Sequence, residues 1–286
     1  MKGWGWFGLI TGILITLVAI ERGVSVYQGL WPHIFFLVGT SLFFDAIHYL
    51  VCGESLLHRI WKHKHLFLVP FMAGLSIELL LDVAGVFLFL TWIYPMFNRE
   101  GGLFLYVIFA PLGLLFLYES YTAVTALVRK GFHSSSKLNF EVSQNRRILN
   151  LMGFFSVLLF LFSMTLMVWS DLNRWYIHYF VGFGVWSLLE YIGLKRGQET
   201  LVTHILRKDF IPLLVIFFLS FTLAYGWEVM NVSMGGSWIY TNLPEGAIIL
   251  SGGVPLIALL QWPFLYIMFL SFYRSIFLSR EEPCFW

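Results

Sequence analysis

The chain has 286 residues, 59% of them apolar, 19% aromatic and only 12% charged, with a formal net charge of +2. A soluble domain is about a quarter charged, so this composition excludes a water-soluble protein and gives a multi-pass membrane protein. No basic tract interleaved with aromatics is present, which argues against a nucleic-acid partner, and two distant cysteines, Cys52 and Cys284, build neither a disulfide framework nor a Cys-rich metal site.

Taken in order, the chain predicts an all-α bundle of eight transmembrane helices. The first span is 4–20; Glu21 and Arg22 follow it with no small-residue cleavage site, so it reads as a mature helix rather than a secretory signal. The second is 32–52, and a polar hinge, 53–65, leads to a third at 66–93 that is long enough to tilt or kink. The fourth is 103–128, the fifth 148–169, the sixth 175–192, the seventh 210–232 and the eighth 247–277. Each is near the roughly 20 residues that cross about 30 Å of hydrocarbon.

Lys and Arg are placed asymmetrically. The N-terminus, the loops after spans two, four and six, and the C-terminus hold 15 of the 18 basic residues, while the alternate loops hold only Arg22, Arg99 and Arg174. The positive-inside rule then puts both termini on the cytoplasmic side, in the inner membrane if the source is bacterial.

The halves resemble each other at an offset of about 145 residues. The segment beginning at Gly39 (GTSLFFDAI) matches that at Gly184 (GVWSLLEYI), setting Asp45 opposite Glu190. Asp82 stands opposite Glu228, each followed ten residues later by a Trp and two after that by a Tyr, and Pro111 stands opposite Pro255. We therefore expect two parallel four-helix repeats, 1–128 and 148–286, joined by a cytoplasmic linker, 129–147, and related by an axis along the membrane normal.

Chemistry is expected at the intramembrane acids, because a carboxylate in hydrocarbon is costly and marks function by default. Glu78 and Asp82 are four residues apart and share one helix face, with no Lys or Arg in the same helix. Their mutual repulsion and lost hydration favour one of them keeping a proton. A neutral carboxylic acid can protonate a base as poor as a carbon–carbon double bond, and aromatic faces stabilise the cation that results. The candidate catalytic residues are Asp82, Glu228 and Glu78. The candidate substrate-binding residues are Trp92, Tyr94, Trp238, Tyr240, Trp262, Asp45, His48 and Glu190. Two plainer readings stand beside these: aromatics at helix ends form interface belts in many membrane proteins, and acids near helix ends, such as Glu190, can sit among headgroups. His48, three residues after Asp45, can relay or orient a proton or simply hold a polar contact. His58, His63 and His65 are interleaved with Arg59, Lys62 and Lys64 and read as a solvated basic loop, not a metal site. His178 reads as structural. No metal or cofactor is called for, and Asn231-Val232-Ser233 is a glycosylation sequon by chance.

The stretch from Trp227 to Trp262 resembles the core of integral-membrane carotenoid hydratases. That likeness is carried by Glu228, Gly235-Gly236, Trp238-Ile239-Tyr240, Gly253-Val254-Pro255-Leu256 and Trp262. Two acid-bearing halves are also similar to the membrane lycopene cyclases and the small fungal meroterpenoid cyclases, although the Pro-x-Glu-Glu element of the lycopene cyclases is absent. The resemblance implies proton-initiated chemistry, cyclisation or hydration, on a double bond of a lipid-soluble isoprenoid or terpenoid. A proton-coupled transporter and a non-catalytic lipid-binding subunit fit the same acids and repeats, and nothing in the sequence specifies an oligomer.

Overall fold

The computed structural model describes residues 2–25, 31–95, 102–132, 146–169, 172–233 and 236–277. Over these the protein is an all-α membrane protein, and eight of its helices are long and apolar enough to cross a bilayer. Most of the expected linker (133–145), Gly235 of the pair Gly235-Gly236, and Cys284 lie outside the described residues. Helices α1 (Lys2–Ser25) and α2 (Trp31–Cys52) are the first two spans, and a short α3 (Leu56–Lys62) occupies the polar hinge. The third span runs through α4 (Leu68–Asp82) into a π-helical turn, Val83–Leu88. Helices α5 (Gly102–Phe132), α6 (Arg146–Trp169) and α7 (Arg174–Lys195) follow, then a short α8 (Leu201–Leu206). The seventh span is α9 (Ile211–Leu219), a π-helical turn Ser220–Ala224, and α10 (Tyr225–Ser233); the eighth is α11 (Leu256–Phe272) with a π-helical end, Tyr273–Phe277.

Helix α5 is the centre of the bundle. Of its apolar span 72% is buried, against 22% and 17% for the first and fifth spans, which are therefore the peripheral helices. Leu114, Phe116 and Tyr121 of α5 pack with Leu37 of α2, Ile216 of α9 and Tyr266 and Leu270 of α11, all nearly inaccessible. Phe154, Phe155, Leu158 and Phe162 of α6 face outward, as a lipid-facing helix requires.

Close approach of the peripheral helices rests on two glycines that the sequence had paired. A Cβ on Gly39 would fall 2.7 Å from the Thr16 backbone nitrogen of α1, and one on Gly184 would fall 2.9 Å from the Phe160 Cα of α6. Without a hydrophobic force between helices in lipid, such small residues are what let backbones touch.

Two expected spans are corrected at their ends. The third stops at Leu88, not at 93, because the chain turns back through Leu90, which takes a left-handed conformation (φ 53°). The Phe89 and Thr91 amides bond back to the Ala84 and Gly85 carbonyls, each at 2.8 Å. The eighth begins at Leu256, not at 247: Gly252 and Gly253 have φ near +80° and Pro255 stands at the helix start, so no helix can pass through them. The segments freed by these turns form strands β1 (Trp92–Ile93) and β2 (Ile239–Tyr240), an antiparallel ribbon that joins the halves with Trp92 opposite Tyr240 and Ile93 opposite Ile239.

At the other end of the helices, Arg129 at the end of α5 donates to Asp209 Oδ2 at 2.7 Å. His204 Nδ1 lies 2.9 Å from the same oxygen and its Nε2 lies 3.6 Å from Glu199, which also accepts from Arg207. The His204 contact first, helped by Arg207 against partial burial, holds the Glu199 carboxyl down to about 2. Burial alone would raise Asp209, but hydrogen bonds from Arg129 and His204 outweigh it and hold it below the ordinary carboxylate range. Carboxyls depressed in the folded state contribute stability above their unfolded range near pH 4 and lose it as the pH falls through their folded values. The melting temperature of the detergent-solubilised protein should therefore hold steady from pH 7 to 5 and fall below pH 4. Glu199→Gln should flatten that acid limb; a limb of unchanged steepness would show that this network does not carry it.

Candidate functional site

Asp82 is the last residue of α4 and is buried. The turn after it returns β1 across the helix end, so that Trp92 Nε1 donates to Asp82 Oδ1 at 3.0 Å and the Tyr94 hydroxyl donates to the same oxygen at 3.0 Å. The approach needs Gly85: a Cβ there would lie 2.1 Å from the Trp92 ring. Tyr106 of α5 also faces Asp82.

In the other half Glu228 sits in the first turn of α10, buried. Trp238 Nε1 donates to Oε2 at 3.3 Å, the Tyr240 hydroxyl to Oε1 at 2.7 Å, and Trp262 Nε1 of α11 to Oε1 at 2.9 Å. Asn231 folds the Gly-containing turn that aims Trp238. Its Oδ1 accepts from the Ser237 and Trp238 amides at 2.8 and 3.3 Å, and its Nδ2 donates to the Trp238 carbonyl at 3.0 Å. That side chain is 1% exposed, so the sequon is spent on folding the turn.

These two constellations meet in one cavity of about 100 Å³. Glu78, Asp82, Trp92, Tyr94, Glu228, Trp238, Tyr240 and Trp262 all line it, with Trp227, Phe109, Phe116 and Gln261 completing the wall. All three candidate catalytic acids and five of the eight candidate binding residues are thus brought together. An indole N–H is a donor only. Burial, then the neighbouring acids, raise the Tyr94 and Tyr240 hydroxyls well above the ordinary phenol range, so both remain protonated donors. Three donors divided over both Glu228 oxygens match an ionised carboxylate. Asp82 receives its indole and phenol on one oxygen.

No family model, curated protein or solved structure matches the chain.

The three remaining candidates lie elsewhere. Asp45 accepts from the Leu57 amide in the first turn of α3 at 2.8 Å and from Trp4 Nε1 at 3.3 Å. Glu190 accepts from the Val202 amide in the first turn of α8 at 2.8 Å and from Ser271 Oγ at 2.9 Å. Each acid holds the start of a short helix twelve residues ahead, where exposed amides favour an anion. His48 lies 3.8 Å from Glu119 in the same polar cluster as Asp45. None of the three lines the cavity. His63 and His65 are exposed, in keeping with a basic loop.

Two histidines stand behind the cavity's tryptophans: His33, which the sequence did not single out, and His178, which it reads as structural. His33 is 4.8 Å from the Trp227 ring and 4.9 Å from Trp238, with Nδ1 3.4 Å from Ser237 Oγ. His178 stacks on Phe89 at 4.9 Å and packs on Trp92 at 5.3 Å, with Nδ1 3.5 Å from Thr91 Oγ1 and from Gln261. Each histidine backs the tryptophan of the opposite half. The signal was available: both lie six residues before the paired glycines, Gly39 and Gly184.

Gly85→Leu should push the Trp92 indole off Asp82. The expected outcome is a melting temperature lowered by several degrees and a red-shifted tryptophan emission; wild-type values for both would mean that Trp92 does not need this approach.

Proposed function

We propose that the protein is a membrane enzyme that protonates a double bond of an isoprenoid or terpenoid lipid and guides the resulting cation to cyclisation or hydration. The observation that carries this reading is the convergence of Glu78, Asp82 and Glu228 with Trp92, Tyr94, Trp238, Tyr240 and Trp262 on one cavity. In it, Glu78 and Asp82 share a proton and deliver it to the alkene. Glu228, wrapped by three donors, stays an anion that faces the developing positive charge, and the aromatic faces hold that charge.

A cavity of about 100 Å³ takes the reacting end of such a lipid and no more. A wider groove of about 490 Å³ lies between α7, the seventh span, the loop at Pro244–Ile248 and α11, lined by Tyr179, Phe217, Phe221, Leu260 and Phe264. Tyr179 donates to the Ile257 carbonyl and lies beside Tyr240 of the cavity, which makes it the partition between groove and cavity. The rest of the chain lies in this groove.

The halves are read as parallel repeats, with termini and basic loops on the cytoplasmic side. The offset from Asp82 to Glu228 is 146 residues, as it is from Trp92 to Trp238 and from Tyr94 to Tyr240, and the ribbon pairs Ile93 with its own counterpart, Ile239. On this orientation the acids lie toward the non-cytoplasmic face, under the ribbon.

Asp82→Asn and Glu228→Gln should each lower turnover of isoprenoid substrates by at least about 100-fold, the lower end of what a positioned acid or an electrostatic stabiliser contributes, with expression and melting temperature retained. Lipid extracts of cells supplied with isoprenoid precursors, analysed by mass spectrometry, provide the readout. Full activity in both variants would remove the mechanism. Substrate movement into liposomes driven by a pH gradient, without product, would replace it by transport.

A further inference from the structure

The cavity has a chemical complement of its own. Among the described residues, three carboxylates line it and no Lys or Arg does. Trp238, Tyr240 and Trp262 direct their N–H and O–H groups at Glu228, and Trp92 and Tyr94 direct theirs at Asp82. Five polar edges are thereby turned toward the two acids, which stabilises negative charge inside the wall. Among the described residues no group of His, Cys, Asp and Glu could hold a metal ion, and aromatic rings make up much of the rest of the lining. An anionic wall covered by aromatic surface is the recognition chemistry of alkylated ammonium ions, which shed their water readily and are attracted to ring faces. The volume of about 100 Å³ also suits them, being several times the roughly 10–15 Å³ that one water occupies on the same measure.

We propose that this cavity binds tertiary and quaternary organic ammonium ions, with Glu228 as counter-ion and Trp92, Trp238 and Trp262 as the cage. The inference concerns the same cavity as the enzyme reading and deepens it, because an ammonium ion is a stable likeness of a tertiary carbocation. It does not depend on turnover.

The test uses the full chain in a non-ionic detergent at constant ionic strength, with choline as the probe and 3,3-dimethylbutan-1-ol, its uncharged carbon isostere, as the comparison. Tryptophan fluorescence and isothermal titration calorimetry read the binding, and tetramethylammonium serves as competitor. Choline should bind at least ten-fold more tightly than the isostere and be displaced by tetramethylammonium. Glu228→Gln and Trp238→Leu should each weaken choline by ten-fold or more in protein that still elutes as a single species, whereas Glu199→Gln, outside the cavity, should not. Equal affinity for choline and its isostere, or binding of neither to the folded wild-type chain, overturns the inference. Ammonium binding without isoprenoid turnover leaves it standing and removes the enzyme reading; turnover without a preference for the cation does the reverse.

Discussion

The structure depends on a donor-only indole N–H reaching a carboxylate that has left water. A lone buried charge costs several kcal/mol even after the surroundings relax. A hydrogen bond to a charged group returns about 1.5–3 kcal/mol. One bond therefore does not suffice, and each acid draws two or three. Those donors cannot come from the acid's own helix. Trp92 and Tyr94 reach Asp82 only because the third span stops and turns, and Trp238 and Tyr240 reach Glu228 only because the chain turns after α10. Requiring both turns at once fixes the ribbon, its register and the cavity beneath it.

The helices that carry the acids are themselves irregular. A π-helical turn follows Asp82 directly, and another ends four residues before Glu228. Such turns rotate the residues after them relative to a regular helix and are common at functional sites. The first points the chain after Asp82 toward the turn at Leu90; the second sets the angle at which Glu228 enters the cavity. In lipid the first of these departures persists because its backbone groups stay bonded locally, as the Phe89 amide does to the Ala84 carbonyl at 2.8 Å.

Much of this was legible in the residues. Long apolar runs and the alternation of basic loops gave eight spans, since hydrocarbon thickness and charge placement act on sequence directly. Spacing was equally informative at the site: Asp82–Trp92–Tyr94 and Glu228–Trp238–Tyr240 mark a reach that only a reversal of the chain can close. What stayed hidden needed backbone geometry. The left-handed Leu90 carries no compositional sign, so the third span read as five residues too long. Asp45 and Glu190 read as candidate binding acids, Glu190 also as a headgroup acid, because a sequence of polar loop residues does not announce the short helices α3 and α8 whose amides those acids receive. His33 went unremarked and His178 read only as structural because their partners lie in the opposite half, and the shared six-residue spacing to Gly39 and Gly184 does not say what they touch.

That crossed arrangement ties the fates of the halves together. His33 comes from the first half and rests on Trp238 of the second, while His178 comes from the second and rests on Trp92 of the first. Neither half finishes its own pocket. A change of bulk at either histidine is felt first in the other half's tryptophan, so the halves cannot drift apart in sequence independently. The faces that meet beneath the ribbon are thereby coupled in bulk across the two halves.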